Sequence, residues 1–177
     1  MKNSVKTAVG GLCAALSIVL MFLGGISSVF VYAVPMLLGT LMCMLKKTFG
    51  ARCAIGVYIS VSILSFVLVA NKECVLMYAL FFGYYSIIKD SVEKIKYRPF
   101  MLLAKFLTFN LCIAAAELVS FYAFGIPFFD DGKFSVWFIV LFAVLMNLLF
   151  VLYDIMLNRF YLFYQLKLEK RIKKLLK

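Results

Sequence analysis

Few side chains in this sequence could do chemistry, and most of them lie in two apolar runs. Asn110 and Glu117 are seven residues apart in the run Phe100–Phe124. On a helix they share one face, which Ser120 extends. Asn147 and Asp154 repeat the spacing in the run Phe134–Leu157, and Asn158 continues it. Two antiparallel helices would therefore each present a polar stripe. Facing stripes either satisfy one another or line a cavity, and Glu117 is the side chain that a cavity open at the lysine-poor end would reach first. The purely structural use of the same groups is a helix-to-helix hydrogen bond, typically worth about 0.6 kcal/mol. Lys105 and Asp154 lie at similar depth, roughly 5–8 Å inside one boundary at 1.5 Å per residue. They are expected to pair, the alternative being that Lys105 alone snorkels to the headgroups.

Catalytic chemistry finds little support. The chain has no His. It has no Ser-based nucleophile motif and no phosphate-cradling glycine loop. Its five cysteines, Cys13, Cys43, Cys53, Cys74 and Cys112, show no CxxC spacing. Four lie in apolar runs, where a free Cys behaves as a small hydrophobe. The expectation is no metal, no cofactor and no enzyme activity. Asp130 and Asp131 form an adjacent acidic pair in a loop, which reads as a solvated turn. Tyr32, Tyr78, Tyr122 and Trp137 fall near one boundary and suit an interfacial aromatic belt. Tyr122 and Trp137 are also placed to stack on a flat ligand.

The elements that must hold these residues follow from composition. Of the 177 residues 66% are hydrophobic and 15% charged, and mean hydropathy is +1.04. An average globular chain is about 45–50% apolar and about 25% charged, so the excess belongs in a bilayer. A span needs about 20 mostly apolar residues. Breaks in the apolar runs place six: Val5 to Leu23, Ile26 to Leu45, Cys53 to Ala70, Cys74 to Ile88, Phe100 to Phe124, and Phe134 to Leu157. The fold class is thus an all-α integral membrane protein. Residues 1–157 are expected to form a six-helix transmembrane bundle, and 158–177 a cytoplasmic basic amphipathic tail. Lys2 and Lys6 precede an apolar run with no clear small-x-small cleavage site, so that run reads as a helix.

The formal net charge is +11. The basic residues sit between spans, which argues for topology and against nucleic acid. Of the 19 lysines and arginines, all but Lys72, Lys133 and Lys105 fall on one side of the alternating spans. The positive-inside rule then puts both termini in the cytoplasm of a cell-membrane protein. In the tail, Tyr161, Tyr164, Leu168, Ile172 and Leu175 recur at helical spacing opposite Lys167, Lys170, Arg171, Lys174 and Lys177. Such a helix is drawn to anionic lipid headgroups, and the alternative is a solvated anchor.

The first span is unusually thin. Ser4, Ala8, Gly11 and Ala15 line one face, and Thr7, Gly10, Ala14 and Ser17 the adjacent one. Small residues let membrane helices approach closely. One neighbour needs only one such strip, so the second implies a crowded position or a docking surface. With six spans near 180 residues, both ends inside, and a first helix opening in Ala and Gly, the chain resembles the substrate-binding S component of an energy-coupling-factor transporter. "VYAVPMLLGTLM" and "FGARCAIGVYISV" also resemble that family's second and third helices. The resemblance implies a membrane subunit that captures a small, vitamin-like molecule from outside. It implies docking on a coupling subunit and its ATPases through Ala8, Gly11 and Ala15, although Gly11 departs from the usual Ala-x-x-x-Ala. Candidate ligand contacts are then Glu117, Asn110, Asn147, Tyr122 and Trp137. A rival from another class is a non-catalytic polytopic scaffold of the cell-shape type, which would bind membrane proteins and no small ligand.

Overall fold

The computed structural model describes residues 3–26, 30–125 and 136–168, and they are helical almost throughout. Asn3–Gly24 forms α1, Phe30–Phe49 α2 and Ala51–Leu68 α3. Lys72–Met77 (α4), a π-helical turn over Tyr78–Phe82, and Gly83–Val92 (α5) make one continuous helical rod. Arg98–Phe124 is α6, and Val136–Phe163 is α7, followed by a second π-helical turn over Tyr164–Leu168. Among the described residues five helices, α1, α2, α3, α6 and α7, are long and apolar enough to cross a membrane.

Local sequence sets the breaks. Gly50 takes φ +93°, a conformation rarely open to a side chain, and separates α2 from α3 without a loop. The Asn71 side chain caps α4 by accepting from Cys74 N at 3.0 Å. Pro99 sits in the first turn of α6, where its missing N–H leaves no bond unmade. Gly125, at φ +64°, closes α6 in the left-handed region, its N–H donating to Phe121 O.

The rods alternate in direction. Lys46 and Lys47, late in α2, both reach Asp90, late in α5, at 2.7 Å. Lys105, early in α6, reaches Asp154, late in α7. These residues define a lysine-rich end. At the other end Tyr32, early in α2, meets Glu73 in the first turn of α4. The Phe66 and Phe124 rings, late in α3 and α6, lie there 5.9 Å apart.

The fourth predicted span differs most from expectation. It extends over 72–92 and forms the axis of the bundle, with Cys74 to Tyr78, Phe81 to Gly83, Tyr85 to Ile87 and Lys89 all buried. A helix apolar all round belongs in a core. The π-helical turn brings Phe81 and Tyr85 onto one side, where their rings stack at 4.8 Å. Phe81 also packs edge-on against Phe109 of α6 and Phe150 of α7. Tyr78, expected in an interfacial belt, is instead wholly buried. Gly39 lets α2 pass close to this rod, beneath Tyr153 of α7.

The boundary expected between bundle and tail at 157/158 is not a break, since α7 continues through it to Phe163. Tyr164 is buried, with its hydroxyl 2.7 Å from that of Thr48, and Lys47 Nζ lies over the Tyr161 ring. Residues 169–177, carrying most of the tail's charge, lie outside the described residues, as do Asp130 and Asp131.

Candidate functional site

Each end of the bundle holds a group of charged side chains, and they are built differently. At the lysine-rich end α6 presents Lys105 and α7 presents Asp154, Nζ to Oδ2 at 3.0 Å. The structure brings these two together as the matching depths required, but they are not alone. Lys89 of α5 contacts Asp154 Oδ1, and it also lies 2.9 Å from Glu93. Lys105 lies 2.8 Å from Glu93, and the Tyr85 hydroxyl donates to Asp154 at 2.8 Å. Both lysines are about 95% buried. The result is a closed ring of two ammonium and two carboxylate groups joining the central rod to α6 and α7. Burial by itself would raise the Glu93 carboxyl, but the Lys105 and Lys89 ammoniums hold it below the usual carboxylate range. Its contribution to stability is therefore complete above about pH 4.3 and is lost as pH falls through the depressed value. Beside the ring, a cleft of about 400 Å³ is lined by Cys43, Lys47, Asp90, Asn158 and Tyr161 among others. Every carboxylate on its wall is already matched to lysines, so a ligand would meet a saturated surface.

Asn110 and Asn147 come together two turns further along. Each side-chain amide donates to the other's carbonyl oxygen at 3.0 Å, and each also donates to its own helix one turn back. All four N–H groups are thereby used on the outer flank of the α6–α7 contact. This geometry bridges helices and leaves no donor for a ligand. Changing both residues singly and together to Ala should give a coupling energy of about 0.6 kcal/mol, with a ceiling near 1.7, read by unfolding in mixed detergent. A coupling above 3 kcal/mol would show that the pair does more than bridge.

Glu117 takes no part in that bridge. Its neighbours Ile113, Ala116 and Ser120 are buried, and this stretch of α6 packs on α4. Seven residues on a straight helix fall only about 20° short of two full turns, so Glu117 stays close to the Asn110 direction, beside the buried face that runs through Phe109, Ile113, Ala116 and Ser120. Glu117 is half-buried and lies within electrostatic reach of Glu73 and the Tyr32 hydroxyl. Tyr32 donates to Glu73 Oε1 at 2.5 Å. Ser120 Oγ is buried without a hydrogen-bond partner. Tyr122 and Trp137 are 80% and 83% exposed on the rim, where they suit a lipid-water boundary; neither points into the Glu73–Glu117 neighbourhood through any described contact.

Sequence reasoning missed Glu73, Lys89, Glu93 and Tyr85, and it placed Tyr32 in an aromatic belt without its bond to Glu73. Glu73 stood in a polar turn, and Lys89 among loop lysines. One local signal was present: Lys89 and Glu93 are four apart, a spacing that brings side chains together on a helix.

The two small-residue strips of α1 meet different fates. Gly10 and Ser17 are buried and Ala14 half-buried against α3, and a Cβ at Gly10 would lie 3.1 Å from Val57. Ser4, Ala8, Gly11 and Ala15 are all exposed, with nothing within 4 Å of a Cβ built at Gly11. Gly11 and Ala15, with Gly10 and Ala14 of the adjacent strip and Cys53, Gly56 and Ser60 of α3, line a shallow, mostly apolar groove of about 570 Å³, with Lys6 and Arg52 at its lysine-rich end. No family model, no curated protein and no solved structure matches this chain.

Proposed function

We propose that this protein is the membrane-embedded binding subunit of an uptake system. It takes a small molecule at the lysine-poor end and relies on a separate coupling subunit and ATPases for energy. In this reading the rod 72–92 is the sixth span and the lysine-rich end, with both termini, is cytoplasmic. The basic segment after Tyr164 lies on anionic headgroups. The observation that carries the proposal is the unspent strip of α1. Gly10, Ala14 and Ser17 already serve internal packing, so Ala8, Gly11 and Ala15 are free to meet another membrane helix at backbone distance. Gly56 and Ser60 widen that surface from α3.

The scaffold reading would use the same groove. Glu117 favours capture over scaffolding, because a half-buried carboxylate with no hydrogen bond or ion pair among the described residues has no structural task. Intramembrane carboxylates of this kind mark substrate pathways.

Replacing Gly11 with Leu, alone and with Ala8→Leu and Ala15→Leu, tests the docking face. Nothing inside the bundle touches the Gly11 position, so the variants should melt no lower than the wild type. Co-purification of partner membrane proteins after mild crosslinking should fall at least ten-fold. Unchanged partner recovery would remove the docking face, and the proposal with it.

A further inference from the structure

The two ends of the bundle treat acidic side chains in opposite ways. At the lysine-rich end each of the three carboxylates among the described residues touches two lysines: Asp90 holds Lys46 and Lys47, while Glu93 and Asp154 share Lys89 and Lys105. At the other end α4 and α6 pack together, and Glu73 of α4 and Glu117 of α6 have no ammonium or guanidinium on either among the described residues. The nearby cation among the described residues, Lys72, is turned away. Its Nζ donates to Phe66 O at 2.7 Å and Val69 O at 2.8 Å, and lies 5.5 Å from the Phe66 ring centre. Lys72 therefore caps the end of α3 and leaves its neighbour Glu73 to Tyr32, a neutral phenol that supplies one hydrogen bond.

Two like charges in partly dehydrated surroundings repel, and each is costly to bury alone. Ser120, like Ser65 and Tyr78, has a buried hydroxyl without a partner among the described residues, and of the three it is the one on α6 beside Glu117. Ser120 is 3% exposed. Buried hydroxyls are nearly always paired. Three residues from Glu117, Ser120 lies on the same side of α6, the side that packs on the segment carrying Glu73. A cation with N–H donors would satisfy all three groups at once: charge for the two carboxylates and a donor for Ser120 Oγ. Metal ions suit the place poorly, since no cluster of three His, Cys, Asp or Glu side chains exists among the described residues.

We propose that the captured molecule is an organic cation, an ammonium- or guanidinium-bearing small molecule held between Glu73 and Glu117, with Tyr32 orienting Glu73 and Ser120 accepting a hydrogen bond. This rests on the capture reading above and narrows its substrate class. It also assigns binding roles to Glu73 and Ser120.

A matched set of probes separates charge from shape. Tyramine, 4-ethylphenol and 4-hydroxyphenylacetate share a ring and size and differ in carrying a positive, no or a negative charge. Each is titrated into the full chain in lipid nanodiscs by calorimetry at pH 7. Wild type should bind tyramine at least ten-fold more tightly than the anion. Glu117→Gln and Glu73→Gln should reduce that preference below three-fold, and Ser120→Ala should weaken tyramine a few-fold without altering the anion. The Gln variants are isosteric; should either misfold, the other and S120A still decide. Saturable binding with no preference, or with preference for the anion, overturns the cation inference while leaving small-molecule capture standing. No saturable binding of any probe to wild type overturns both.

Discussion

Asp154→Asn should be the most destabilising conservative change in the bundle. The substitution keeps the shape and removes one negative charge from the ring of Lys89, Lys105, Glu93 and Asp154. Two ammonium groups, each about 95% buried, are then left with the Glu93 carboxylate alone. Breaking a buried pair from one side costs about 3–5 kcal/mol, because the remaining charge stays uncompensated in low dielectric. Glu93 retains contact with both lysines, which argues for the lower figure, about 3 kcal/mol. The Tyr85 hydroxyl keeps an acceptor, but an uncharged one. Unfolding of the variant in mixed detergent, followed by tryptophan-independent circular dichroism, measures the loss. Adding Lys89→Met should restore part of it by removing the excess charge. A single variant as stable as wild type would show that water, not the carboxylate, satisfies the lysines.

Gly39→Ala should be nearly as damaging through sterics alone. A Cβ there would run into the Tyr153 hydroxyl and come within 2.6 Å of Phe82 O. Tyr153 is wholly buried and its hydroxyl donates to that same carbonyl at 2.9 Å. One methyl group thus displaces a ring and breaks a buried hydrogen bond at the contact of α2, the π-helical turn and α7. Overpacking typically costs about 1–3 kcal/mol, and an orphaned buried polar group about 1–3 more, so a loss of about 3 kcal/mol is expected. Gly11→Ala is the control. With open space around it, the new methyl should stabilise α1 by about 0.5–1 kcal/mol. Equal melting of G39A and G11A would contradict the close passage of α2 beneath Tyr153. Both variants are read by thermal unfolding in the same detergent.

What the sequence alone determined is what each segment settles by itself against lipid. Apolar runs of about 20 residues become rods, because hydrocarbon offers backbone groups no other partner. The thinness of α1 was legible for the same reason: small residues at spacings of three and four lie on one face whatever surrounds them. The depth of Lys105 and Asp154 could be counted along two rods, and the structure puts them in contact. Short polar breaks such as Gly50 and Asn71 located the ends. The fourth segment was legible as apolar but not as central, since burial on every side depends on how many neighbours assemble round it.

Only the tertiary structure decided which polar groups meet across sequence gaps of 41 to 69 residues, as in Tyr32 with Glu73 and Tyr85 with Asp154. Helical periodicity assigns a side chain to a face, but the rotation of each rod about its axis is set by packing with all its neighbours together. A rotation of a few tens of degrees would decide whether Glu117 faces α7 or the segment that carries Glu73. It would likewise decide whether Lys89 is a loop charge or a buried member of the ion ring. Rotations of that size leave hydropathy and spacing unchanged, so only the packing of all the rods together selects among them.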